Sequence, residues 1–226
     1  STQSRSSAAS DVYKRQNEAA TTIKNLCSIV PGGVICFFTS YENLNRFHNF
    51  LVTKKIADLI SLKKDIYIEP RSSSKTEKVL EDYAKSIKNR KQGKTGAIIF
   101  SVVGGKLSEG MNFSDDLGRC VIVIGLPFPN KTNPELVEKI NFINKNLSPK
   151  AGAEYYENLC MKAVNQSIGR SIRHIGDYAA VILMDSRYQR VNIVQKLPDW
   201  IKRNLLIEKN YGKVHGEVSR FFKNHL

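Results

Sequence analysis

The sequence predicts an α/β domain with a mostly parallel sheet, and three observations predict it. Short, continuous apolar runs of strand length recur along the chain, as in VICFF at residues 34–38, which marks strands buried on both faces. Amphipathic stretches of helical period separate those runs. The runs end in polar or glycine-rich loops, where a parallel sheet gathers its ligands, above all where strand order reverses.

Residues 1–16 are small and polar without a period; they read as a disordered or non-native leader, since SAASDVYKRQ resembles translated adapter sequence. The domain then spans residues 17–226. Ala20, Ile23, Leu26 and Cys27 have helical spacing, and Pro31, Gly32 and Gly33 end that helix. The strand at 34–38 stops at Thr39, Ser40 and Tyr41, and the helix that follows turns Leu44, Phe47, Leu51 and Ile56 inward. Residues 66–68 alternate as a second strand, closed by Glu69 and Pro70. Val79, Leu80, Tyr83, Ala84 and Ile87 share one face of a helix at 76–87, and a basic turn at 88–94 leads to a third strand at 96–102. The glycine-rich loop 103–113 precedes a fourth strand at 119–124, which ends in LPFPN. Helices at 133–146 and 152–174 come before a fifth strand at 178–184. The tail holds Pro198 and Trp200 and closes on an amphipathic stretch at 214–222.

A chain of 226 residues that is 41% hydrophobic can bury a core, and no apolar run approaches the roughly 18 residues of a membrane span. Lys and Arg outnumber Asp and Glu by 35 to 21, and the net charge of +14 favours polyanionic partners, nucleic acid before anionic membrane. Cys27, Cys36, Cys120 and Cys160 lie far apart without a C-x-x-C pair and read as reduced thiols, three of them in apolar runs. His48, His174, His215 and His225 show no ligand spacing, so no metal site is expected. Gly93, Lys94 and Thr95 imitate the end of a phosphate-binding P-loop, but Lys88 stands where its first glycine belongs and the triplet precedes its strand; a basic turn is the better reading.

The stretch QSIGRSIRH at 166–174 carries most of the chemistry. On a helix advancing about 100° per residue, Gln166, Arg170 and Arg173 fall on one face, with Val164, Ile168, Ile172 and Ile175 opposite. One amide and two planar guanidiniums thus face away from an isoleucine stripe. Two readings stay open on spacing alone: a ligand-facing set, or arginines that complement the macrodipole before a helix stop at Gly176.

The order of FFTSY at 37–41, GGKLSEGMNF at 104–113 and QSIGRSIRH is similar to motifs IV, V and VI of the superfamily 2 helicases. SVVGGKLSEGMNFSDDLGRCVIVIGLPFPN followed by NQSIGRSIRHIGDYAAVILMDSRY resembles the second motor domain of the XPD-like, iron-sulfur DNA helicases, over residues 17–226. PFPN, Asn112 and LPDWI most resemble the ChlR (chromosome-loss, sister-chromatid cohesion) branch.

That resemblance implies a RecA-like, P-loop-NTPase-type three-layer domain with extra C-terminal helices. It implies an ATP-dependent 5′→3′ DNA helicase of chromosome cohesion, replication or repair, with ATP and Mg2+ held between this domain and a first motor domain. No DEAH box follows, so the P-loop, the Mg2+-binding acids and the 4Fe-4S cluster are expected on that other half, and this chain alone is expected to be inactive. Arg170 and Arg173 match the arginine-finger positions, Gln166 the polar residue beside the γ-phosphate, and Gly169 either a close backbone approach or a packing glycine. Glu109, Gly110 and Asn112 match nucleotide-linked positions; Asn112 departs from the usual Asp and alternatively caps a turn. Ser40, Tyr41, Gly105, Lys106 and Ser108 match positions that track single-stranded DNA by its backbone, with Tyr41 either stacking on a base or lying at the core rim. The implied partners are single-stranded and forked DNA, the chain's own N-terminal motor domain, and cohesion or replication proteins in the nucleus, with no membrane. The alternatives are an XPD-like helicase of another repair branch and a catalytically silent helicase-fold scaffold.

Overall fold

The computed structural model describes residues 2–107, 113–172, 174 and 176–225, with the side chains of 2–9 and 73 outside that description. Its strands are β1 (Gly32–Phe38), β2 (Lys64–Ile68), β3 (Gly96–Val102), β4 (Cys120–Ile124) and β5 (Ala180–Met184). They form one sheet in the order β2-β3-β1-β4-β5, every pair parallel. The chain starts at the sheet's centre, goes to one edge as β2, returns inward as β3 between β2 and β1, then crosses to the other side, so strand order reverses between β1 and β4.

Apolar residues at consecutive positions serve two layers, because neighbouring side chains on a strand point to opposite faces. Val34, Cys36 and Phe38 of β1 join a core with Leu26 of α1 (Thr2–Ile29), Leu44 of α2 (Tyr41–Thr53) and Ile60 of α3 (Ile56–Ser61). Ile35 and Phe37 face the other core, against Tyr83 of α4 (Thr76–Lys88). Between β4 and β5 the chain forms α5 (Pro134–Asn146) and α6 (Ala151–Ile168), and Met161, Val164 and Ile168 of α6 pack on that second core. After β5 come α7 (Val191–Val194), α8 (Asp199–Lys202) and α9 (Tyr211–Lys223), the last returning to the first core through Val218 and Phe222. The result is the expected α/β domain, a sheet between two helical layers with helices added at its end.

The sheet's N-terminal edge is closed by backbone and by a lysine. A Cβ on Gly96, at φ +143°, would stand 2.1 Å from the Gly32 carbonyl, so only glycine allows the first step of the β1–β3 ladder. Beside it the fully buried Lys64 donates to the carbonyls of Val30 (2.9 Å) and Gly32 (2.8 Å) and to the Thr95 hydroxyl (3.1 Å). With no carboxylate among those acceptors, burial draws its pKa down to about 8. Lys94 of the P-loop-like triplet pairs with Asp65 and Thr95 donates to the Lys63 carbonyl, so the triplet fastens this edge. All four cysteines are free and buried.

Residues 2–16 are helical and continue into the part of α1 that buries Ala20, Ile23 and Leu26; the segment has no Gly or Pro, and Tyr13 packs edge-on against Phe50 at 5.7 Å. Two expectations change. Ile56 belongs to α3, because Lys55 at φ +56° separates it from α2. Helix α6 ends at Ile168, six residues before the expected end at 174, with Gly169 as its C-cap. Its last carbonyls are taken there: Gly169 N–H bonds Asn165, and the Ser171 hydroxyl bonds Ile168. Gln166 therefore lies on the helix and Arg170 in the turn beyond it, not on one continuous face.

Candidate functional site

The first cluster gathers at the C-terminal ends of β1, β2 and β3. Glu69 follows β2 and is buried, its backbone N–H bonded to the Phe100 carbonyl at 2.8 Å. One carboxylate oxygen accepts from the Tyr41 hydroxyl (2.7 Å) and the Leu107 N–H (3.3 Å). The other accepts from the Ser101 hydroxyl (2.6 Å) and the Val102 N–H (2.9 Å). Four donors offset the cost of burying the charge. Glu69 thus ties the loop after β1 to the loop after β3. A Cβ on Gly105 would lie 2.5 Å from that carboxylate, which is why glycine stands there.

This arrangement brings together Ser40, Tyr41, Gly105 and Lys106, the described members of the predicted strand-tracking set. Ser40 caps α2, its hydroxyl accepting from the Asn43 N–H at 3.2 Å. Burial, then the bond to Glu69, push the Tyr41 pKa up to about 12. The Arg71 guanidinium sits over the Tyr41 ring, 5.5 Å from its centroid. The Lys106 side chain is exposed. Ser108 lies outside the described residues.

The second cluster lies toward the opposite edge. Helix α6 leads into the N-terminal end of β5, so Gln166, Gly169 and Arg170 do not share the strand C-termini with the first cluster. Gln166 is exposed on the last turn of α6 and lines an open groove of about 580 Å³ with Asn158, Lys162 and Lys196. Gly169 has an ordinary φ of −67°, and an added Cβ would meet the Asn165 carbonyl at 3.2 Å and the Gln166 carbonyl at 3.8 Å. The Arg170 carbonyl accepts from the N–H of the buried Phe113 at 3.0 Å, while its guanidinium bonds to no described residue. Arg173, Glu109, Gly110 and Asn112 lie outside the described residues.

An ion-pair network joins His174, Asp177 and Tyr178 to the residues just before β4. Arg119 donates to Asp177 (2.9 Å), to the Tyr178 carbonyl (3.0 Å) and to Asp116 (3.0 Å), with its guanidinium 4.0 Å from the centre of the Tyr178 ring. Asp177 also takes the Asp115 N–H at 3.3 Å, and His174 meets Asp115 at 3.1 Å. Asp115, His174 and Asp177 bring ligand atoms within 4.8 Å, but the Arg119 charge already occupies Asp177 and disfavours a cation there. Glu69, Arg71, Arg119 and Asp177 all escaped the sequence reading. Only a Glu in place of a turn residue, directly after a strand, was a signal that could have been followed.

The helicase C-terminal domain family matches residues 23–204, which spans both clusters. The chain belongs to that family. The helicase domain is 47% identical over 219 residues to the ATP-dependent DNA helicase DDX11 of Danio rerio, covering 94% of this chain and 25% of the relative. It is 42% identical over 211 residues to the ATP-dependent DNA helicase CHL1 of Scheffersomyces stipitis, covering 89% and 25%. It thus spans about a quarter of the length of these relatives. A solved XPD helicase shares its fold with a TM-score of 0.59 at 20% identity, over 84% of this chain and 31% of that one. In the helicase domain, the first cluster contains FFTSY and the start of the glycine-rich loop, and the second contains the QSIGR stretch.

Proposed function

We propose that this helicase domain is the second motor domain of an ATP-dependent 5′→3′ DNA helicase acting in chromosome cohesion, replication or repair in the nucleus. Arg170 and Arg173 stabilise the transferring γ-phosphoryl group of an ATP shared with the first motor domain. Gln166, Gly169, Glu109, Gly110 and Asn112 line the nucleotide, and Ser40, Tyr41, Gly105, Lys106 and Ser108 follow single-stranded DNA. The observation that carries this reading is Arg170: a guanidinium with no bond to a described residue, on a turn whose backbone is fastened to Phe113. Such a group is oriented and still has its donors to offer.

Hydrolysis makes a bond from water to the γ-phosphorus and breaks the bond to the β–γ bridging oxygen, giving ADP, phosphate and a proton. Negative charge on the phosphoryl oxygens is what a planar fork of donors meets. Gln166 and Arg170 suit phosphate oxygens, and the resemblance to the XPD-like helicases assigns Mg2+ and the 4Fe-4S cluster to the first motor domain. The domain by itself is inactive, and forked DNA and cohesion or replication proteins are partners of the whole enzyme.

The test is DNA-stimulated ATPase of the two-motor protein. Arg170→Ala should abolish turnover while single-strand binding persists; wild-type turnover would refute the assignment.

A further inference from the structure

The loop after β2, residues 69–75, lies beside Tyr41 and Lys106 and has no part in the strand-tracking set proposed so far. It begins at Glu69, whose carboxylate is fixed by Tyr41, Ser101, Val102 and Leu107, so its position relative to the other two loops is set by four hydrogen bonds. Two residues on stands Arg71. Its side chain is exposed and has no carboxylate partner among the described residues, yet its guanidinium lies 5.5 Å from the centre of the Tyr41 ring. A guanidinium over an aromatic ring keeps its in-plane N–H donors directed outward. Tyr41 is closed off at the same time: its hydroxyl is spent on Glu69, its ring packs against the core, and Arg71 lies over it.

We infer that Arg71 is a phosphate-binding residue of the nucleic-acid track, held in place by Glu69 and Tyr41, and that Tyr41 supports this cation in place of stacking on a base. The strand is then gripped here by its backbone, through Arg71 and Lys106, without preference for sequence. This inference rests on the proposal that the strand-end loops of β1 and β3 follow single-stranded DNA.

The experiment measures binding of labelled oligothymidylate and of a mixed-sequence oligonucleotide to the two-motor protein between about 50 and 200 mM salt. Arg71→Ala should weaken both about five- to tenfold and reduce the slope of log affinity against log salt by about 0.7, the change for one lost contact to a single strand. Arg71→Lys should restore the slope but only part of the affinity, because a lysine still neutralises a phosphate but lacks the planar fork that lies on Tyr41. Failure of lysine to restore the slope would place the effect in the packing of Tyr41 and overturn a direct contact. Weakening confined to one of the two oligonucleotides would indicate base recognition and likewise overturn the inference. Lys106→Ala, measured in parallel, separates the two levels: if it flattens the slope and Arg71→Ala does not, only this inference fails; if neither variant changes binding, the strand-tracking reading of this edge fails with it.

Discussion

Arg119 and Asp177 form an ion pair at 2.9 Å in which the aspartate side chain is fully buried and the arginine side chain 9% exposed. It joins the residues just before β4 to those just before β5, where Cys120 and Ala180 are in register. The turn carrying Arg170 is tied to α6 on one side and, through its carbonyl, to the N–H of Phe113.

Removing one partner of a buried pair leaves the other charge without compensation, which costs about 3 to 5 kcal/mol. Arg119→Ala should lower stability by that order in urea unfolding. Asp177→Asn added to it should cost far less than in the wild type, since the charge it removes has already lost its partner.

Lys64 makes stability depend on pH in an unusual direction. Its folded pKa of about 8 lies below the ordinary 10.5, so between those values the unfolded chain keeps a proton that the folded chain has released. Stability from this group therefore rises with pH across that window, by at most about 3 kcal/mol, because each tenfold difference in proton affinity between the two states is worth about 1.4 kcal/mol. Unfolding of wild type and Lys64→Met from pH 7 to 10.5 should show the wild type gaining on the variant, while buried thiols such as Cys27, which burial pushes up to about 12, oppose the rise in both proteins.

Gly105→Ala should be destabilising by about 1 to 3 kcal/mol, the scale of overpacking, and should weaken single-strand binding. The added methyl would meet the Glu69 carboxylate at 2.5 Å and the Val102 carbonyl at 2.9 Å, and Glu69 cannot retreat without losing its donors. Thermal unfolding and binding on one sample would show the two losses together.

Tyr41→Phe removes one of four donors to Glu69 and should cost about 1 to 2 kcal/mol, with the remaining three keeping the carboxylate in place. Glu69→Ala, which leaves the Ser101 hydroxyl and two backbone N–H groups without their acceptor, should cost more in the same measurement.

On the role proposed for Arg170, Arg170→Lys should not restore the ATPase of the two-motor protein that Arg170→Ala is expected to lose. A loss of roughly 10³-fold or more is the scale for an arginine finger, and lysine offers a point charge in place of a planar fork. Steady-state phosphate release measures it.

The strands were legible because burial on both faces writes an unbroken apolar run, and β3 falls where the sequence placed it. Helix ends were less so. The 152–174 pattern keeps its isoleucine spacing past Ile168, yet the chain leaves the helix at Gly169, where local caps at Asn165 and Ile168 replace the ladder. Residues 2–16 carry no apolar stripe, and their helix continues the one anchored at Ala20 and Ile23.

By itself the sequence determined the alternation of strand and helix, the glycine-rich loop after β3 and the family to which QSIGRSIRH points, since local period and motif spacing carry that information. Only the tertiary structure decided which loops meet. Tyr41 reaches Glu69 across 28 positions and Arg119 reaches Asp177 across 58. Both pairings follow from the order β2-β3-β1-β4-β5. That order is set by the summed packing of two cores on one sheet, which no single stretch of chain encodes.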